Sequence, residues 1–90
     1  MRFALICRDK PGALETRKAN RAAHLHHIET TGVVEMAGPL LDEAGEMCGS
    51  LVILEVSDRN AALDWAGADP YAQAGLFASV EVIAWNKVIG

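Results

Sequence analysis

Between Arg2 and Arg8 the chain is almost wholly apolar, and the run "FALIC" shows no polar alternation before it breaks at "DKPG". A short apolar run closed by a Pro-Gly pair predicts a first strand and a turn. From Ala13 to Thr30 no Gly or Pro occurs, helix formers dominate, and Gly32 follows as a stop, which predicts one long helix. "VVEMAGPL" reads as a second strand whose Gly38-Pro39 pair suits an edge or a bulge, and "DEAGEM" as a polar turn. "GSLVILEV" is β-branched and apolar on both faces, the pattern of a central strand. Ser57 or Asp58 can cap a second helix over "RNAALDWAGA", which Asp69-Pro70 interrupts. "YAQAGLFA" is then a helical turn closing at Gly75, and "SVEVIAWNKV" alternates as a last strand. The order strand, helix, strand, strand, helix, strand predicts an α+β, ferredoxin-like βαββαβ fold: an antiparallel sheet with two helices on one face, a single domain over residues 1–90.

Composition changes this picture in one respect. A chain of 90 residues has a modest core, yet 51% of its residues are hydrophobic, and strands such as "LVILEV" want cover on both faces. A homodimer or higher homo-oligomer is expected on that ground. The net charge of −4 comes without a Lys/Arg-rich run, so no nucleic-acid partner is expected. No apolar stretch approaches the roughly 20 residues that cross a bilayer, and no membrane partner is expected. "MRFALICRDK" lacks the features of a signal peptide, and Cys7 and Cys48 form no C-x-x-C pair, which together suit two free thiols in the cytoplasm.

Candidate chemistry gathers on the long helix, in "RAAHLHHIET". At about 100° per residue, Leu14, Leu25 and Ile28 share a sector roughly 60° wide, the stripe expected to pack on the sheet. Arg17, Arg21 and His24 fall inside or beside that sector, His26 points away and His27 lies on the flank, so His26 and His27 are expected in solvent. One reading makes the three basic residues a stripe border, with arginine methylenes on apolar neighbours and charges in water. The other has them line a cavity between helix and sheet, the arginines orienting an anion or a carboxylate and His24 moving protons. A metal is not expected: His24 and His27 could share a helix face, but no third ligand, H-E-x-x-H pattern or cysteine pair completes a set.

A carboxylate fixes a histidine's tautomer and stabilises its charged form, and Asp9, Asp64 and Asp69 are candidates. With both helices on one face, Asp69 can approach the first helix. It is equally well placed as an N-cap ahead of Pro70, and one carboxylate can fill both roles. Trp65, Tyr71 and Trp85 are of the type that fills cores and interfaces. Glycine-rich phosphate loop, nicotinamide fingerprint and nucleophile elbow are all absent from the sequence, so no cofactor is expected and proton transfer is the chemistry left.

"CRDKPGALETRKANRAAHLHHI", "AGPL", "GSLVILEV" and "ADPYAQAGLFASVEVIAWNKV" together resemble the YCII-related (YciI-like) family across essentially the whole chain. The specific combination is R-x-x-H-L, a following G-P, and D-P-Y with a glycine four residues after the tyrosine. The resemblance implies a dimeric ferredoxin-like α/β domain with an active site built around His24 and Asp69. By the same resemblance Asp9, Arg17, Arg21, Gly38, Pro39, Ser50 and Tyr71 stand where a substrate pocket would be lined. The family's best-known precedent is acid–base lyase or dehydrochlorinase-like chemistry on hydroxylated aromatic compounds. Two functions follow as expectations: a small cofactor-independent enzyme using a His-Asp dyad on a small anionic or phenolic metabolite, or a non-catalytic dimeric small-molecule-binding or accessory module.

Overall fold

The computed structural model describes residues 1–90. In chain order the elements are β1 (Arg2–Asp9), α1 (Leu14–Thr31), β2 (Val34–Leu41), β3 (Met47–Glu55), α2 (Arg59–Ala68), the short α3 (Pro70–Gln73) and β4 (Phe77–Trp85). The four strands form one antiparallel sheet in the order β2-β3-β1-β4. This is the α+β, ferredoxin-like arrangement that the order of elements predicts. The apolar β1 and β3 are central, with a neighbouring strand along both edges, and the strand carrying Gly38-Pro39 is at an edge, where a missing N–H costs no ladder bond. No helix is long and apolar enough to cross a membrane.

Strand alternation decides which side chains meet the helices. Phe3, Leu5 and Cys7 on β1 and Val52 and Leu54 on β3 point to one face and form the core with Ala62 and Trp65 of α2. Ile28 of α1 packs against the same cluster, so both long helices cover this face. Asp58 caps α2 by accepting from the Ala61 N–H, and α1 stops at Gly32, whose φ of 67° is left-handed backbone that glycine adopts without strain. The opposite face has no helix on it and exposes Met36, Leu51, Ile83 and Trp85.

Three expectations need correction. The last strand starts at Phe77, two residues before "SVEV", because pairing of β1 with β4 continues past a register shift to Asp9 and Phe77. The buried residues of α1 are Arg17 and His24, at 2% and 6% exposure, while Leu25 of the expected apolar stripe is 43% exposed. Polar partners on the opposing elements make burial of the two basic residues affordable, and Leu25 is left at the rim of a cavity, while Ile28 lines that cavity and also packs on the core. His27 is not in open solvent: it is half-buried, its Nε2 lies 3.2 Å from the Trp65 carbonyl oxygen, and its ring tilts against the indole at 4.5 Å. The indole N–H in turn donates to Thr31 Oγ1 at 2.8 Å, so this group ties α1 to α2.

Candidate functional site

The site lies where α1 crosses β3 and meets α3. Helix spacing of three and four turns Arg17, Arg21 and His24 toward one side. Strand alternation brings Ser50 to the helix face two residues before Val52, and Asp69-Pro70 stops α2 so that a new helix starts with Tyr71 in its first turn.

Asp69 serves two partners through one atom. Its Oδ1 accepts the Tyr71 backbone N–H at 3.0 Å, capping α3, and lies 2.8 Å from His24 Nδ1. Both side chains are buried, at 7% exposure for His24 and 3% for Asp69. Toward an ionised carboxylate, which can only accept, Nδ1 must carry the proton. The lone pair of neutral His24 is therefore on Nε2. That nitrogen has no protein partner, and since no buried side-chain nitrogen or oxygen is left without one, Nε2 opens onto the cavity. The imidazole stacks on Tyr71, with centroids 4.0 Å apart and planes 16° from parallel.

Arg17 is held from two sides. Its Nε and Nη2 donate to the two carboxylate oxygens of Asp9 at 2.7 and 2.8 Å, and Nη2 also donates to Ser50 Oγ at 2.9 Å. Burial works against its charge, but the Asp9 hydrogen bonds and negative charge prevail and raise its pKa above the ordinary arginine value. The guanidinium carbon stands 4.7 Å from the Tyr71 ring centroid, a cation–π distance. For Tyr71 itself, burial pushes the phenol pKa up against the opposing fields of Arg17 and Arg21, so the hydroxyl keeps its proton at neutral pH.

A cavity of about 160 Å³ opens between α1, β2 and β3. Arg17, Arg21, His24, Ser50 and Tyr71 supply its polar wall, and Leu25, Ile28, Ala37, Pro39, Met47 and Val52 its apolar one. Gly38 completes the lining on β2. Of the residues singled out in the sequence, all but two line this cavity. Asp69 stands behind His24, and Asp9 behind Arg17, facing a separate depression with Lys10, Asp42 and Cys48. The question of which aspartate takes the histidine is thus settled geometrically: Asp9 goes to Arg17, Asp69 to His24, and Asp64 is exposed on α2. Sequence reading passed over Leu25 and Ile28 as lining, having placed both on the stripe that packs on the sheet, where Ile28 does pack, and over Met47, Ala37 and Val52, although β alternation from Pro39 and Ser50 points to the last two. No three His, Cys, Asp or Glu side chains gather into a metal-ligating group.

Comparisons with known proteins agree on the family. The family model of the YCII-related domain matches residues 1–86. An uncharacterised protein of Haemophilus influenzae and the protein YciI of Escherichia coli are each 36% identical over 98% of this chain and 99% of their own length. Among solved structures, 5-chloro-2-hydroxyhydroquinone dehydrochlorinase (TftG) from Burkholderia phenoliruptrix, in complex with 2,5-dihydroxybenzoquinone, is similar with a TM-score of 0.86 and 33% identity, covering 96% of this chain and 94% of that one.

Proposed function

The chain belongs to the YCII-related family, and from that premise we propose that it is a cofactor-independent enzyme in which His24 transfers a proton on a small anionic or phenolic compound. The observation that carries the reading is the buried 2.8 Å contact of His24 Nδ1 with Asp69, which leaves Nε2 as a base at the cavity wall. As Nε2 takes a proton from the ligand, the imidazolium gains the Asp69 carboxylate on one edge and the Tyr71 face beside it. Positive charge formed on the imidazole by proton abstraction thus meets a carboxylate and an aromatic face, both of which attract a cation. Negative charge left on a ligand oxygen falls in a cavity whose wall carries two arginines and no carboxylate.

Size narrows the substrate class. Cavities of about 150 Å³ hold a benzene ring, and the cavity here is about 160 Å³. A one-ring hydroxylated compound fits, in keeping with the quinone-like ligand of the dehydrochlorinase neighbour. Elimination of a halide or another leaving group, started by proton removal at His24, is the lyase form of this chemistry.

The test is proton exchange. One-ring phenols, hydroquinones and their chlorinated derivatives are incubated with protein in D₂O, and loss of ring C–H signals and chloride release are followed by NMR and ion analysis. Wild type exchanges or eliminates on at least one member, and His24→Asn lowers the rate by about 100-fold or more, the usual contribution of a positioned base. If compounds bind and none reacts with wild type, the enzyme reading is wrong and the chain is a small-molecule-binding module.

We also propose that two copies pair through the helix-free face of the sheet. Met36, Leu51, Ile83 and Trp85 expose apolar surface there across all but one of the strands. A second copy laid on this face covers it with the same residues, as a two-fold interface requires.

A further inference from the structure

The two arginines at the cavity are not equivalent. Arg17 is 2% exposed, and its charge is balanced at contact distance by Asp9. Arg21, one helical turn on, is exposed, lines the same cavity and makes no ion pair or hydrogen bond within the protein. It is the uncompensated charge of the site. Ser50 supplies a second unused group: its oxygen accepts from Arg17 Nη2, which leaves the hydroxyl hydrogen free to donate, and the side chain is 3% exposed and lines the cavity.

We infer that Arg21 and the Ser50 hydroxyl form the oxyanion subsite of this cavity, that Arg17 is a positioning residue which aims Ser50 and carries no ligand charge, and that the site selects one-ring monoanions. The inference deepens the proton-transfer reading and rests on it for the role of the oxyanion. Placement supports the division of labour: Arg21 is three residues before His24 on α1, so one bound ring can meet the guanidinium with its oxygen and Nε2 with its acidic hydrogen. Asp9 and Asp69 each stand behind a basic residue, which keeps both carboxylates away from the anion.

The experiment is a calorimetric titration with benzoate and with benzyl alcohol, two one-ring probes of similar size that differ in charge. Wild type binds benzoate saturably and about tenfold or more tighter than the alcohol, the scale of one charge-assisted hydrogen bond. Arg21→Gln removes that preference by weakening benzoate alone, Arg21→Lys restores part of it, and Ser50→Ala weakens benzoate further with Arg21 intact. Arg21 is exposed, so its variants fold as wild type does, and a thermal melt of each is the control. Absence of saturable benzoate binding in wild type overturns the inference, as does an Arg21→Gln variant that keeps the preference or weakens both probes equally. The titration reads binding only, so its failure is distinct from failure of His24-dependent exchange.

Discussion

Replacing Asp9 by Asn tests whether Arg17 is part of the framework. The change keeps the shape of the side chain and removes the charge that two short hydrogen bonds deliver to Arg17. Side-chain exposures of 3% for Arg17 and 7% for Asp9 leave almost no water to take over. Breaking a buried pair by removing one partner costs about 3–5 kcal/mol, because the remaining charge is stranded. The asparagine oxygen still accepts one bond, so the lower end, about 3 kcal/mol, is expected. A chain of this size has roughly 5–13 kcal/mol of total stability, so the loss is a large share of it and lowers Tm by more than about 10 °C. Urea unfolding followed by circular dichroism measures it directly. Adding Arg17→Met to Asp9→Asn removes the stranded charge and fills the space with apolar atoms, and recovers most of the loss. An Asp9→Asn variant within 1 kcal/mol of wild type, or a double variant no better than the single, refutes the reasoning and frees Arg17 to bind ligand.

Gly49→Ala places a Cβ 2.3 Å from the Cys7 carbonyl oxygen, backbone that cannot step aside. It costs more than about 2 kcal/mol in urea unfolding; a neutral result would mean that β1 and β3 slide past each other freely. Burial, and secondarily the negative charge of Asp69, raises the Cys7 thiol to about 12, while Cys48 is exposed. At neutral pH one thiol per native chain reacts with a disulfide reagent and the second only on unfolding. Because the folded pKa of Cys7 is raised, its stabilisation is complete below the unfolded value near 8.5–9 and is lost as pH rises toward 12, with a slope of up to about 1.4 kcal/mol per unit. Cys7→Ala shows a shallower alkaline loss in the same titration, and an identical profile contradicts the assignment. On the pairing proposed above, wild type is a dimer by light scattering and Ile83→Glu on the helix-free face is a monomer with unchanged secondary structure; wild type that stays monomeric over about a 100-fold range of concentration disposes of the proposal.

Much of the fold was legible because local signals agree with one another. Pro39 names an edge, the unbroken "LVILEV" names a centre, and Asp69-Pro70 marks both the end of α2 and the start of α3. The long helix was harder. Its periodicity gives directions for Leu25, Arg17 and His24, but not what stands opposite each. Asp9 and Ser50 reach Arg17 from eight residues before and 33 after, and Asp69 reaches His24 from 45 after. Those partners decide that the basic residues go in and the leucine stays at the rim. His27 shows the same limit: its partner is a carbonyl oxygen on α2, a group every residue has and no sequence pattern advertises.

One oxygen atom, Asp69 Oδ1, both starts α3 and holds the imidazole. The helix has only four residues, but Tyr71 in its first turn is 2% exposed and stacks on the imidazole, so α3 is seated in the packed interior. A change that displaced α3 would take from the carboxylate the N–H that helps orient it toward the imidazole. Seating of this short helix and orientation of the imidazole therefore depend on the same atom.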